Sequence, residues 1–422
     1  MKAKNCLIFG GSGQIGRHLI RKLTKNNYKV TIVTRNLHQK GYIIKTQANA
    51  GYIDIVEANI FDENKIRKLF SKADICINLI GILYESGKGN SFKNIHSIFP
   101  SILAKLCKEY KVNQFIHLSA LGINKATDSE YAKSKLEGEL NIQKNFPLAT
   151  ILRPSVVYSV DDNFTTSFMT LLSRLPFFPL YYNGDTKFTP IHCSDLTDII
   201  YYIISKNIHS KIVECVGPET FTLKEILNKL LVLINKKRLL IPMPLFAAKI
   251  SAKFFQLFPK PLLTIDQLTL LKYDNIASET HKTNFDIGVP SKKFFDQEVE
   301  KYCRNLGSNK RSVCLKFFVR LLCCVYNLPK FLNVRLVDER TKFPDAWGWN
   351  NLGTERVSFL PVQCPKGKRD RNWDGVEVCR LHLWAAHRSR SQLQLLCRVM
   401  FHKVFCGCLR KVLSLWRGVA CV

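Results

Sequence analysis

Short apolar runs alternate with amphipathic stretches through the first part of the chain. Lys4 to Phe9 reads as an apolar strand, and Gln14 to Lys25 places Ile15, Leu19, Ile20 and Leu23 at helical spacing. Val30 to Val33, Ile53 to Val56 and Ile75 to Ile80 predict three more strands. Phe99 to Tyr110 then predicts a helix, Phe115 to Leu118 a fifth strand and Ala149 to Leu152 a sixth. Strands separated by helical segments at this interval argue for βαβ units in a parallel sheet. The expected fold class is α/β, a doubly wound parallel sheet over residues 1–153 that can borrow later strands. A smaller substrate or docking lobe, more irregular and with Pro-bounded helices, is expected over 154–307.

The chemistry starts directly after the first strand. Gly10-Gly11-Ser12-Gly13-Gln14-Ile15-Gly16 carries glycines at G-x-x-G-x-x-G spacing between a strand and a helix. Gly10 permits the tight turn, Gly13 lets the backbone approach a pyrophosphate, and Gly16 allows close helix–strand packing. The phosphates would rest on the helix N-terminus, where unbonded N–H groups and the dipole favour negative charge. Cofactor choice follows from the end of the second strand, Val33-Thr34-Arg35, where an acid for the ribose 2′-hydroxyl would mark NAD. Arg35 stands there, with Arg17 just after the glycine loop, and a guanidinium pairs with a 2′-phosphate. NADP(H) is therefore the preferred cofactor and NAD(H) the alternative. Asn59-Ile60, at the end of the third strand, is expected to meet the adenine.

Composition adds a boundary. The 422 residues carry 63 Lys and Arg against 33 Asp and Glu, a net charge of +30, which suggests an acidic partner: nucleotide, nucleic acid or anionic membrane. Residues 308–422 hold no Ile, all 5 Trp and most of the 15 Cys. That switch fits either a domain boundary near Gly307 or a mispredicted or frame-shifted tail. The tail's Cys and His spacing fits no zinc module, so no metal ligand is assigned, and its Arg388-Ser389-Arg390 patch is weak ground for nucleic-acid binding. No apolar run is long enough to span a membrane, and Met1 leads almost directly into the first strand, so no presequence is expected. The thiols are expected to be reduced.

Several motifs together resemble the atypical short-chain dehydrogenases/reductases, in the NAD-dependent epimerase/dehydratase-like superfamily. They are the glycine loop, Ile77-Asn78-Leu79-Ile80-Gly81, His117-Leu118-Ser119-Ala120-Leu121-Gly122, Tyr131 to Glu139, and Leu152-Arg153-Pro154-Ser155-Val156-Val157-Tyr158. More narrowly, the sequence is similar to the NADPH-binding accessory subunits of respiratory complex I. Val216-Gly217-Pro218-Glu219, Phe221 to Glu225, Leu263-Thr264-Ile265-Asp266-Gln267 and Asp274-Asn275 fit that group. The resemblance covers about residues 1–304. It implies a Rossmann-type domain with a smaller C-terminal lobe and a bound NADPH, and partners in the respiratory chain or quinone pathway. The candidate cofactor-binding residues are Gly10, Gly13, Gln14, Ile15, Gly16, Arg17, Arg35, Asn59, Ile60, Gly81 and Lys135.

Tyr131 and Lys135 are the candidate catalytic residues. Four residues apart on one helix face, the ammonium would favour phenolate and lower the Tyr pKa toward neutrality. The hydroxyl that polarises a carbonyl in extended family members is expected at position 121, which is Leu. Two readings follow, a nucleotide-holding accessory protein and an active NAD(P)H-dependent reductase or epimerase. His96, His117 and His192 read as packed or capping histidines. Lys249, Lys253 and Lys260 interleave with Phe246, Ile250, Phe254 and Phe258, which fits either peripheral membrane or partner contact, or core packing with a solvated basic edge. The expected location is a bacterial cytoplasm, at most peripheral on the inner membrane, or the matrix side of a mitochondrion in a eukaryote.

Overall fold

The computed structural model describes residues 3–308 apart from 88 and 257–260, with side chains as far as Cys303; expectations for the tail, Lys260 and Phe258 lie outside the described residues. In the first half the chain runs β1 (Asn5–Phe9), α1 (Gln14–Lys25), β2 (Lys29–Thr34), α2 (Leu37–Lys45), β3 (Ile53–Glu57), α3 (Glu63–Phe70) and β4 (Ile75–Asn78). A π-helical turn, Lys93–Ile98, leads into α4 (Phe99–Glu109), followed by β5 (Gln114–Leu118), α5 (Glu130–Asn145) and β6 (Thr150–Pro154). The second half runs β7 (Val157–Tyr158), α6 (Thr165–Arg174), β8 (Phe177–Leu180), a 3-10 turn Tyr181–Gly184, β9 (Lys187–Phe188), β10 (Ile191–His192), α7 (Cys193–Ser205) and β11 (Ile212–Cys215). It ends with β12 (Phe221–Thr222), α8 (Leu223–Leu233), β13 (Leu239–Pro242), α9 (Leu245–Gln256), α10 (Ile265–Leu270), β14 (Lys282–Thr283) and α11 (Phe295–Ser308).

One 8-stranded sheet organises the described chain, in the order β14-β11-β6-β5-β4-β1-β2-β3. Every pairing in it is parallel, with Cys6 opposite Val30 on one side and Ile75 on the other. Its central strands read as unbroken apolar runs because helices cover both faces. Ile8, Ile32 and Ile77 pack on one face with Leu19, Ile20 and Leu23 of α1 and Ile199 and Ile203 of α7. Leu7, Phe9 and Phe115 pack on the other with Phe70, Phe99 and Leu103. The chain builds outward from β1 to β3 and then returns to place β4 on the other side of β1. That reversal opens a crevice at the carboxyl ends of β1 and β4, where doubly wound sheets bind their ligands. Tyr158, Phe178, Leu227 and Phe295 form a separate small core beyond β6. All six cysteines of the described residues are free thiols, and no described helix is long and apolar enough to cross a membrane.

Candidate functional site

The glycine loop lies at this crevice, and its close contacts explain why side chains are missing there. Gly10 has φ +85°, and a Cβ on it would lie 3.1 Å from the carbonyl carbon of Leu79 at the end of β4. A Cβ on Gly16 would fall 2.5 Å from the Gly11 Cα, so only glycine lets α1 close against its own loop. Gly13 caps α1 with no side-chain hydrogen bond, and no acid stands in the first turn. The N-terminal N–H groups and the helix dipole therefore face the loop with no acidic side chain in the helix's own first turn. Gln14 Nε2 donates to the Val157 carbonyl at 3.3 Å, and Ile15 packs partly buried against the core of that face.

Parallel register sets the other candidates along the same edge. Arg35 follows β2 and donates from Nη1 to Asn90 Oδ1 at 3.1 Å, on the exposed rim. Arg17 is ion-paired with Asp161, which follows β7. One acid in this neighbourhood escaped the sequence reading: Glu57 lies opposite Thr34 at the end of β3, and its Oε1 accepts from Leu37 N at 3.4 Å. Asn59 Oδ1 caps the following turn by accepting from Phe61 N at 3.1 Å, and Ile60 is buried beside it.

Deeper in, α5 delivers Tyr131 and Lys135. A buried ion pair anchors the helix to β6, with Arg153 Nε and Nη2 on Glu139 at 3.0 and 2.6 Å. Lys135 is 3% exposed, and its Nζ donates to the Leu118 carbonyl at 3.1 Å. The same ammonium stands 3.4 Å from where a Cβ on Gly81 would be, so the structure brings Gly81 and Lys135 together. His96 accepts at Nε2 from Ile82 N at 3.1 Å, so its Nδ1 carries the proton donated to Ser134 Oγ at 3.0 Å. The Tyr131 ring stands edge-on to His96 with centroids 5.2 Å apart. Asn78 Nδ2 meets His117 Nδ1 at 3.1 Å. Two buried polar atoms in this cluster have no partner in the protein, His117 Nε2 and Ser119 Oγ. Orphans of this kind at a crevice, next to a cradle that a Cβ would fill, fit a polar ligand completing the site.

The electrostatics correct one expectation. Lys135 does not draw Tyr131 toward neutrality: the phenol is pushed up to about 12, first by burial and then by the Asp266 charge. Lys135 itself is pushed down to about 8 by burial, with Glu139 pulling the other way. His96 is driven down to about 2 and His117 well below its usual value, burial leading and Lys135 adding to it. The source of the Tyr131 effect is a contact between distant segments. Asp266, at the start of α10, accepts from Ser129 Oγ at 2.9 Å, Glu130 N at 2.7 Å and Tyr131 N at 3.2 Å. A carboxylate planted on the N-terminus of α5 is favourable for the helix and unfavourable for a phenolate on its first turn.

Leu121 is buried, with its N–H on the Pro154 carbonyl at 2.9 Å and its own carbonyl accepting from Asn275 Nδ2 at 2.9 Å. Asn275 Oδ1 in turn accepts from Ser155 Oγ at 2.6 Å, so position 121 belongs to a packed seam. His192 caps α7, accepting at Nδ1 from Ser194 N at 3.2 Å. Among the described residues no group of three or more His, Cys, Asp or Glu could hold a metal ion.

Comparison with known proteins agrees with this geometry. The model of the NAD dependent epimerase/dehydratase family matches residues 6–215, which run from β1 through β11. Residues 6–215 belong to that family. Curated proteins similar to this chain include the NADH dehydrogenase [ubiquinone] 1 alpha subcomplex subunit 9, mitochondrial, of Arabidopsis thaliana. That protein is 26% identical over 305 residues, 69% of this chain and 76% of its own length. The protein of the same name from Dictyostelium discoideum is 30% identical over 225 residues, 53% of this chain and 62% of its own. Among solved structures, the dTDP-glucose 4,6-dehydratase of Bacillus anthracis in complex with NAD superposes with a TM-score of 0.53 at 14% identity, over 73% of this chain and 98% of that one. The fold is shared; at that identity nothing finer is.

Proposed function

We propose that this chain holds NADP(H) as a resident cofactor in an accessory subunit of the complex I type, with a role in respiratory-chain assembly, stability or quinone metabolism. The observation that carries the reading is the field around Tyr131. A dinucleotide cradle is built at the α1 N-terminus, while burial and the Asp266 charge oppose the Tyr131 phenolate through which the residue would have to exchange its proton. The buried Leu121 supplies no hydroxyl to polarise a carbonyl. When bound, the nicotinamide ring supplies hydride chemistry; this chain's residues supply the binding. The N-terminal N–H groups of α1, behind Gly10, Gly13 and Gly16, take the pyrophosphate. Lys135 reaches the ribose hydroxyls beside Gly81, and Ser119 Oγ offers one further hydrogen bond. Arg35 pairs with a 2′-phosphate, which favours NADP(H), and Glu57 is already engaged at the α2 N-terminus. Asn59, with its oxygen committed to the local turn, meets an adenine edge through Nδ2.

The names of the Arabidopsis and Dictyostelium relatives support respiratory-chain subunits as partners and a mitochondrial location. A second reading, an active reductase or epimerase, is favoured by the Tyr131 and Lys135 spacing on α5. Tyr131→Phe separates the two. A holder should bind NADPH unchanged and show negligible oxidation of it by quinones or carbonyls before and after the change. A substrate-dependent rate that collapses by orders of magnitude in the Phe variant would establish the enzyme.

A further inference from the structure

The segment from Ile226 to Ile265 contains no Asp or Glu, yet it carries Lys229, Lys236, Lys237, Arg238, Lys249, Lys253 and Lys260. The structure shows where its apolar residues go. Helix α9 seats itself through its smallest side chains: Ala248 and Ala252 are buried, and Ala248 packs with Tyr181 and Leu268. Its large side chains point the other way. Phe246 is 78% exposed and Ile250, one turn on, is 54% exposed, with Lys249 and Lys253 exposed on the adjoining stripe. The ribbon that leads into α9 continues the pattern. β13 pairs with β8 so that Leu239 lies opposite Phe177, and these two are 69% and 54% exposed. Core packing with a solvated basic edge does not describe this face, because its phenylalanine and isoleucine are in water and its alanines are inside.

We propose that the α9–β13 face docks the protein on the surface of an anionic lipid bilayer. A stripe of aromatic and aliphatic side chains flanked by lysines matches the boundary between acyl chains and anionic headgroups: the apolar residues enter and the ammonium groups stay at headgroup level. Charge selects this occupant over the nearest alternatives. A second copy would bring two acid-free cationic faces together, and the remaining segment, residues 309–422, also carries more Lys and Arg than Asp and Glu. No described helix is long and apolar enough to cross a membrane, and the contact proposed is through this exposed face. The face is separate in sequence from the nucleotide cradle, and the proposal stands without the cofactor assignment.

Sedimentation of the full chain with vesicles tests it. Vesicles of phosphatidylcholine with phosphatidylglycerol should carry the protein down, phosphatidylcholine alone much less, and added salt should release it. Phe246→Ser with Ile250→Ser, and separately Lys249→Glu with Lys253→Glu, should each weaken partitioning roughly tenfold or more. Both variants should melt with parental circular dichroism, since these side chains are outside the core. Undiminished binding of folded variants would assign attachment elsewhere and overturn the proposal. So would failure of the parent to sediment with anionic vesicles, or a parent dimer in analytical ultracentrifugation that the serine variant dissolves without any loss of lipid binding.

Discussion

Lys135→Met should make the nucleotide-free protein more stable and the nucleotide-bound protein harder to form. The Lys135 ammonium is 3% exposed, and burial depresses it from 10.5 to about 8. That difference corresponds to roughly 3 kcal/mol acting against the folded state wherever the lysine is charged in both states. The folded value lies below the unfolded one, so between about pH 8 and 10.5 the unfolded chain binds more protons. Native stability therefore rises with pH across that window and is flat below it. Methionine keeps the stem, removes the charge and gives up the hydrogen bond to Leu118, a loss of about 1 kcal/mol. The net gain is about 2 kcal/mol at pH 7, disappearing by the top of the window. The groups facing Lys135 do not blur the test. His96 and His117 are already neutral, and Glu139 is tied to Arg153. Urea unfolding of the nucleotide-free full chain at pH 7 and pH 10 reads the stability, and calorimetric titration reads the affinity. NADPH binding should weaken about tenfold to a hundredfold through loss of a charge-assisted contact. A Met variant less stable at pH 7, or stabilised equally at both pH values, would refute the reasoning.

Other expectations follow from the same geometry. Arg35→Asp replaces a pairing cation by a repelling anion and should weaken NADPH by one to two decades, roughly, while NADH changes little; equal effects in calorimetry would return Arg35 to the ordinary surface. Gly16→Ala places a methyl 2.5 Å from the Gly11 Cα and should lower stability by about 2–4 kcal/mol in urea unfolding and abolish nucleotide binding. Asp266→Asn removes the anion above Tyr131 and should shift the tyrosinate absorbance titration of that residue to lower pH, measured against Tyr131→Phe as the blank; an unmoved titration would remove Asp266 from the account of that phenol.

Much of the sheet was legible because its central strands are buried on both faces and must be apolar throughout. Cys6 to Phe9 is wholly buried, and the α1 positions expected to face inward, Leu19, Ile20 and Leu23, do so. The last two strands were not legible. β11, held between β6 and β14, contains Glu214, and the edge strand β14 is the two-residue Lys282–Thr283; such segments become strands by pairing with a neighbour, not by their own pattern. Within the site, spacing placed Tyr131 and Lys135 on one helix but carried no information about burial, so the direction of the Tyr131 shift was missed. Asp266 stood in a noted motif, yet its place on the α5 N-terminus comes from a contact 136 residues away from Glu130. The interleaving of Lys249 and Lys253 with Phe246 and Ile250 left this helix open between an outward and a packed apolar face, and only the structure separated outward Phe246 from inward Ala248.

The central claim is that the nucleotide is held and not turned over. Its most direct test is to load the full chain with NADPH, pass it through gel filtration, and measure nucleotide content and redox state after incubation with quinones and carbonyl compounds. About one NADPH per chain, still reduced, is the expected result for a single cradle of this kind. A chain that elutes bare, or whose NADPH is consumed only when a substrate is present, would contradict it.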